Sequence, residues 1–196
     1  SSQQKVTNIV FMGMGEPMMN YRNVMKAIVK ITSPEGLGMS PRRITVSTSG
    51  IPKMIKKMAD EYPRFKLAIS LHSAVQETRN KIMPFSTSFP LSELQDSIKY
   101  WFRKTNADVT YEYVVWSNIN DCEAEIDALV RFCKKTPSKV NLIEYNPMGN
   151  DQFIQADKDV IDQYVVALKK SHIPVSMRRS RGKDIDAACG QLANKI

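Results

Sequence analysis

The stretch RITVSTSGIPKMIKKM, from Arg43 to Met58, contains one complete strand-to-helix unit. Residues 43–48 predict a strand, and small polar residues follow it as a turn. Pro52 stands near the first position of the helix that comes next, where proline is well tolerated. Three apolar residues of that helix lie on one face: Met54, Ile55 and Met58. The stretch therefore predicts a strand that leads directly into an amphipathic helix.

The same alternation continues along the chain. Strands are predicted at 6–12, 43–48, 65–71, 109–116, 139–145 and 174–179. Helices are predicted after a cap at Asn20 and at 52–58, 75–82, 91–104, 121–135 and 157–171. This order predicts parallel strands with right-handed crossovers, and consecutive apolar residues predict strands buried on both faces. We expect one α/β domain over residues 1–196, either an open sheet or a barrel. A full barrel needs about 250 residues, so six strands favour a partial one.

Polar residues follow every predicted strand, in the segments GMGEP, STSG, SLHS, SNIND, NPMG and RSRG. Ligands of parallel α/β folds bind at the carboxyl ends of the strands. Turn chemistry alone could produce part of this pattern. The presence of Glu16, His72 and Asn146 among these residues favours one shared binding site.

The charge of the chain favours a polyanionic partner, although many basic proteins bind no nucleic acid. Lys and Arg outnumber Asp and Glu by 28 to 20, which gives a formal charge of +8. The run RRSRGK at 178–183 is either a solvated face or a set of cations that grip RNA phosphates. The sequence has no apolar run of about 18 residues and no signal-peptide pattern, so we expect a cytoplasmic protein without a membrane partner.

The three cysteines differ in their surroundings. Cys133 lies on an apolar helical stripe and is predicted to be core, and Cys122 at a helix start is predicted to be structural. Cys189 lies in DIDAACGQL between two small residues, which leave its thiol accessible. Basic residues just upstream could lower the pKa of that thiol. No cysteine spacing indicates a zinc site or a disulfide framework.

GMGEP and the histidine of SLHS each allow a functional and a structural interpretation. GMGEP at 13–17 lacks the third glycine of a dinucleotide-binding fingerprint. Its glycines would let the backbone approach a ligand, and Glu16 could face an ammonium group, but a plain turn is the alternative. His72 is either a ligand contact or a hydrogen-bonded structural residue, and no Ser-His-Asp order or metal spacing supports hydrolysis. His172 is predicted to be structural.

Five segments in their order, FMGMGEPMMNY, RRITVSTSG, LAISLHS, NLIEYNP and RGKDIDAACGQL, resemble the radical S-adenosylmethionine (radical SAM) RNA methyltransferases of the RlmN/Cfr type. The resemblance covers the chain from about Val6 onward. It implies a partial parallel (β/α) barrel of the radical SAM type. It also implies methylation of an adenosine carbon: carbon 2 in 23S ribosomal RNA and transfer RNA for RlmN-like members, which we favour, and carbon 8 for Cfr-like members.

The resemblance also implies roles for individual residues. Cys189 would receive a methyl group from S-adenosylmethionine, and a four-iron four-sulfur cluster with an electron donor would cleave a second molecule. Gly15 and Glu16 would hold the methionyl amino group. Further cofactor contacts would be Ser47, Ser70, Leu71, His72 and Asn146. The expected RNA contacts are Arg178, Arg179, Arg181 and Lys183.

The sequence departs from the family pattern in two places. The cluster motif C-x-x-x-C-x-x-C is absent, so we expect a C-terminal portion of a longer enzyme that lacks the first strand, the cluster loop and an N-terminal accessory domain. Such a portion would hold no metal and be inactive alone, and its exposed first strand would favour self-association. Glu144 stands where the family has proline. The rival interpretations are a non-catalytic RNA-binding module and a radical SAM enzyme with a small-molecule substrate.

Overall fold

The computed structural model describes residues 6–13, 15–61, 64–145 and 153–178. Six strands occur in these ranges: β1 (Ile9–Phe11), β2 (Ile44–Thr48), β3 (Lys66–Ser70), β4 (Val109–Val114), β5 (Ser138–Ile143) and β6 (Val175–Arg178). Six α-helices connect them, two of which, α3 and α4, lie between β3 and β4: α1 (Tyr21–Thr32), α2 (Pro52–Asp60), α3 (Gln76–Ile82), α4 (Leu91–Thr105), α5 (Glu123–Cys133) and α6 (Lys158–Lys170). Single 3₁₀ turns cover Pro17–Asn20, Pro41–Arg43 and Pro84–Ser88.

All six strands form one parallel sheet in the order β1-β2-β3-β4-β5-β6. Each strand therefore pairs only with its neighbours along the chain, as expected for a β/α barrel architecture. The sheet curves so that β6 approaches β1. This curvature is visible in the distance of 3.2 Å between the Arg178 guanidinium, at the end of β6, and the Met12 sulfur, just after β1. The predicted parallel α/β fold, in the form of a partial barrel, is confirmed.

The two faces of the sheet differ in polarity. Ile44 and Val46 of β2 are fully buried in the hydrophobic core, which the helices share, whereas Thr45 and Ser47 between them are only half-buried. β5 alternates in the same way. The expectation that strands are buried on both faces is therefore wrong for β2 and β5, although β4 is buried throughout. The reason is that the second face lines a cavity instead of packing against a second layer of helices.

Local details adjust several expectations. β1 is shorter than the predicted 6–12. The Asn20 side chain accepts a hydrogen bond from the Asn23 amide at 2.8 Å and does not cap α1 through a backbone N–H. Pro52 opens α2 as predicted, and Cys133 is buried as predicted. Cys122 is the exposed N-cap residue of α5.

β1 lies at an edge of the sheet within the described part of the chain. Its central residue, Val10, has 52% of its surface exposed. An apolar edge strand of this kind can pair with another chain, so self-association remains a prediction. The helices in the described ranges are all too short or too polar to cross a membrane.

Candidate functional site

A cavity of about 450 Å³ opens where the carboxyl ends of the strands meet. Every strand, or the residues directly after it, contributes to the wall. The contributing residues include Phe11, Met12, Ser47, Ser70, His72, Glu112, Val114, Ile143 and Arg178. The polar strand ends therefore surround one cavity, as the sequence predicted.

The structure brings most of the described candidate cofactor residues together. Gly15, Glu16, Ser47, Ser70 and His72 all line the cavity. Leu71 does not, because its side chain is fully buried in the hydrophobic core. The remaining candidates lie outside the described residues, and their roles stay predictions: Asn146, Arg179, Arg181, Lys183 and Cys189.

Glu16 ties the loop after β1 to the end of β2. Its Oε1 accepts the Met18 N–H at 2.9 Å, and its Oε2 accepts both the N–H and the hydroxyl of Ser49 at 2.7 Å. Gly15 precedes it with a φ of +80°, which favours glycine. A carboxylate can accept about four hydrogen bonds, so Glu16 retains capacity for a ligand N–H. The Ser49 contacts were not foreseen from the sequence.

His72 is hydrogen-bonded within the fold and also lines the cavity, so its contact with a ligand stays a prediction. It adopts a left-handed φ of +57°, and its Nδ1 accepts the Val114 N–H at 3.2 Å. Its carbonyl accepts a hydrogen bond from the Asn120 amide at 2.6 Å. Burial, together with the positive charge of Arg79, lowers the pKa of His72 to about 4. The imidazole is therefore neutral at physiological pH, with its proton on Nε2 as a donor at the cavity wall.

The lowered pKa of His72 makes the stability of the protein depend on pH. The unfolded state binds this proton more tightly, so the contribution is complete above a pH of about 6.5 and is lost as the pH falls toward about 4. We expect the loss to reach at most about 3 kcal/mol. Urea unfolding of the full-length protein at pH 7.5 and pH 4.5 measures it. His72→Asn removes the titration yet tolerates the left-handed backbone, so its pH dependence should be smaller. Equal pH dependence in the two proteins would contradict this assignment.

Glu112 is a buried carboxylate in the cavity wall. Only 3% of its surface is exposed, and its Oε1 accepts the Asn141 amide at 2.9 Å. Its Oε2 has no hydrogen-bond partner, and within the described residues the Arg178 Nη1 lies 4.0 Å away. Burial raises the pKa of Glu112, while Asn141, Arg178 and Lys139 act in the opposite direction. The sequence signal was an isolated acidic residue inside the apolar strand VTYEYV, and it was missed.

Arg178 points into the cavity from the end of β6. Besides approaching Glu112, its guanidinium donates a hydrogen bond to the Met12 sulfur, which joins the end of β6 to the residue just after β1. About 37% of the side chain is exposed. The sequence placed Arg178 in a basic cluster for RNA phosphates, whereas the structure places it among the cavity residues.

Arg79 does not line the cavity, but its side chain holds residues of the cavity wall in place. The side chain is fully buried, and its Nε donates to the Leu71 carbonyl at 3.2 Å. Its Nη2 donates to the Ser49 carbonyl at 2.5 Å and lies 3.4 Å from the Ser70 carbonyl. Burial lowers its pKa to about 10, so it remains charged at neutral pH. Arg79 thus connects the ends of β2 and β3, and no pattern in the sequence marked it.

An aromatic wall, formed by Trp116, Tyr145 and Phe153, lines one part of the cavity. The Trp116 ring lies 5.5 Å from His72, 6.0 Å from Tyr145 and 5.2 Å from Phe153, measured between ring centroids. Such a wall suits a flat ring, while Glu16 and His72 supply an acceptor and a donor.

The described residues contain no group of three or more His, Cys, Asp and Glu side chains that could hold a metal ion. Cys133 is unsuited to ligation, because burial raises the pKa of its thiol to about 12. Neither Cys122 nor Cys133 lines the cavity. These residues therefore fit an organic ligand with a flat ring and a polar end.

Comparisons with known proteins give a consistent result. The chain is 65% identical over 190 residues to the "Probable dual-specificity RNA methyltransferase RlmN" of Flavobacterium johnsoniae, covering 97% of the chain and 54% of that protein. It is 39% identical over 195 residues to a protein of the same name from Thermus thermophilus, covering 55% of it. The chain spans about half the length of the curated relatives it matches. No family model matches.

Solved structures agree with these relatives. A radical SAM methyltransferase from Sphaerobacter thermophilus matches with a TM-score of 0.92 and 38% identity, over 96% of this chain and 55% of that one. A domain of pyruvate-formate lyase-activating enzyme from Bacteroides vulgatus matches with a TM-score of 0.67 over 88% of this chain and 99% of that one. At 15% identity, the second match shows the shared fold alone.

Proposed function

Since this chain belongs to the same family as the proteins named RlmN, over about half of their length, we propose that it forms part of a radical SAM RNA methyltransferase. The observation that carries the proposal is the 65% identity over 97% of the chain. The cavity at the strand ends also supports it, because its wall combines polar side chains with aromatic rings.

The cavity residues fit S-adenosylmethionine. Glu16 can accept a hydrogen bond from the methionyl ammonium group, and the neutral His72 can donate one to a ligand oxygen. The wall at Trp116 suits the adenine ring. The volume of about 450 Å³ lies in the range of small-molecule sites. Bound there, S-adenosylmethionine would supply a methyl group.

A four-iron four-sulfur cluster does not fit the residues of this chain. The family's cluster motif needs three closely spaced cysteines, and the sequence has cysteines only at 122, 133 and 189. We propose that the rest of the protein supplies the cluster and receives electrons from a donor. The sequence alone is then expected not to perform the radical step, and no step through the cluster is derived from these residues.

Cys189 is proposed to carry the methyl group to RNA. It lies eleven positions after Arg178, whose side chain is in the cavity. Eleven residues can span up to about 36 Å, so the chain is long enough for the thiol to return to the cavity. A methylated thiol between Ala188 and Gly190 leaves room for a flat base. A base in folded RNA must first be unstacked, which costs a few kcal/mol.

The proposed substrate is an adenosine in 23S ribosomal RNA and in transfer RNA, methylated at carbon 2 in the cytoplasm. The name "dual-specificity RNA methyltransferase" of the relatives supports two RNA substrates. The formal charge of +8 favours such polyanions. Similarity to proteins named RlmN supports carbon 2 over carbon 8.

Nucleoside mass spectrometry of RNA from the source organism tests the proposal. Deleting the gene should remove 2-methyladenosine from 23S ribosomal RNA and from transfer RNA, and the intact gene on a plasmid should restore it. Loss of 8-methyladenosine instead would move the reaction to carbon 8. Unchanged levels of both nucleosides would refute the proposed function.

A further inference from the structure

The charge of Arg178 is already partly compensated inside the cavity. Its Nη1 lies 4.0 Å from the buried Glu112 carboxylate, where the low dielectric makes the attraction stronger than in water. The Oε2 atom of Glu112 has no hydrogen-bond partner. Among the described residues, Arg178 is the one cation within ion-pair distance of this carboxylate. A phosphate approaching Arg178 would also approach Glu112, and the like charges would repel each other.

The location of Arg178 also argues against a phosphate contact. One N–H donates to the Met12 sulfur, and the side chain lies across the gap between β6 and β1. Most hydrogen-bond donors of the guanidinium remain, and its planar face can stack on an aromatic base. The Glu112 carboxylate already balances part of the charge of the Arg178 guanidinium. A flat, neutral ring with acceptor nitrogens is therefore a better ligand for it than an anion.

We propose that Arg178 contacts an adenine ring in the cavity, and that Glu112 positions it and suppresses phosphate binding there. This inference rests on the proposed function, which brings two adenine rings to this site: that of the cofactor and that of the RNA nucleotide. The shared chemistry is the neutral purine face, and affinity measurements with each ligand distinguish the two sources.

The test uses the full-length protein with its cluster. The affinity for S-adenosylhomocysteine is measured by calorimetry, and the affinity for an unmodified 23S ribosomal RNA transcript is measured at several salt concentrations. Arg178→Ala and Arg178→Lys should each lower the affinity for one of the two ligands by about tenfold. Alanine removes the guanidinium, and lysine keeps the charge but lacks the planar face. The salt dependence of RNA binding should stay as in the wild type. A lower affinity for S-adenosylhomocysteine would identify the adenine of the cofactor as the ring that Arg178 contacts. A lower affinity for RNA would identify the adenine of the substrate instead.

Arg181→Ala serves as the reference for a phosphate contact, and its salt slope should fall by about one. Glu112→Gln separates positioning from simple structural support. It removes the compensating charge, so RNA binding should become more salt-dependent, by up to about one in slope. Glu125→Gln is the matched control, because Glu125 is equally buried at 3% exposure but bonds to Ser73 away from the cavity. It should leave the salt slope unchanged.

Several results would overturn the inference. Full affinity of Arg178→Lys for both ligands would show that only charge matters. A salt slope that falls by about one in Arg178→Ala would assign Arg178 to a phosphate. An unchanged slope in Glu112→Gln would remove the compensating role of Glu112. Failure of the wild type to bind S-adenosylhomocysteine would refute the proposed function as well, whereas normal wild-type binding with indifferent variants refutes only this inference.

Discussion

RNA from cells whose only copy of the full-length protein carries Cys189→Ala should contain no 2-methyladenosine above background. The proposed reaction passes the methyl group through this thiol, and alanine offers no nucleophile in its place. The other two cysteines are poor substitutes. Cys133 is buried with its pKa raised to about 12, so almost none of it is thiolate at neutral pH. Cys122 lies at the start of α5 and does not line the cavity.

Cys122→Ala is the matched control, since it removes an exposed thiol outside the cavity. Methylation in this variant should equal that of the wild type. Nucleoside mass spectrometry measures both variants, and immunoblotting confirms equal protein levels. Methylation that persists in Cys189→Ala would exclude a covalent role for the thiol. Affinity for S-adenosylhomocysteine should be nearly normal in this variant, which separates a lost nucleophile from a lost binding site.

Arg79→Met should destabilise the protein by about 3 kcal/mol and weaken binding of S-adenosylhomocysteine by more than tenfold. Methionine fills much of the same space but donates no hydrogen bonds. The Ser49 carbonyl would lose the Arg79 donor, and an unsatisfied buried group costs about 1–3 kcal/mol. The Leu71 carbonyl would lose one of its two donors and keep the Ser73 N–H at 2.7 Å. Arg79 has no carboxylate partner among the described residues, so removing its buried charge offsets part of that cost. Binding falls because Ser49 also holds Glu16 in place.

Urea unfolding and calorimetry of the full-length protein measure the two effects of Arg79→Met. Arg22→Met is a suitable control, because Arg22 is an exposed residue of α1. Arg79→Lys should give intermediate values, since lysine can reach one carbonyl at a time. Normal stability together with normal affinity in Arg79→Met would show that the strand ends hold their positions without this side chain.

The fold could be predicted because its signals are local. Each strand-to-helix unit carries its own periodicity and turn residues, as Arg43 to Met58 illustrates, and parallel strands follow from the alternation. The meeting of the strand ends follows from the topology, so Glu16 and His72 were correctly expected at one cavity. The Leu71 side chain lies in the core because neighbouring residues of an extended segment point to opposite faces, and the polar pattern of SLHS did not reveal which face it joins. A cofactor contact through the Leu71 backbone stays a prediction.

The supporting residues could not be predicted, because their roles depend on contacts far apart in the sequence. Arg79 reaches the Ser49 carbonyl from 30 positions away, and Arg178 reaches Met12 from 166 positions away. A helical arginine near the surface and a buried one have the same sequence pattern. Glu112 was recognisable in the sequence as an acidic residue within an apolar strand. Its pairing with Arg178, however, depends on the curvature of the sheet, which the sequence does not show.

The contact of Arg178 with Met12 has a consequence for how the protein becomes functional during synthesis. The sheet grows in the order of the chain, so each new strand can dock beside the one made before it, and no strand must insert between earlier ones. In the described part of the chain, however, the cavity wall is completed by the Arg178 side chain of β6, which touches Met12 just after β1. A nascent chain that lacks β6 can therefore be largely folded and still be unable to hold its ligand properly. We therefore expect ligand binding only after β6 has docked.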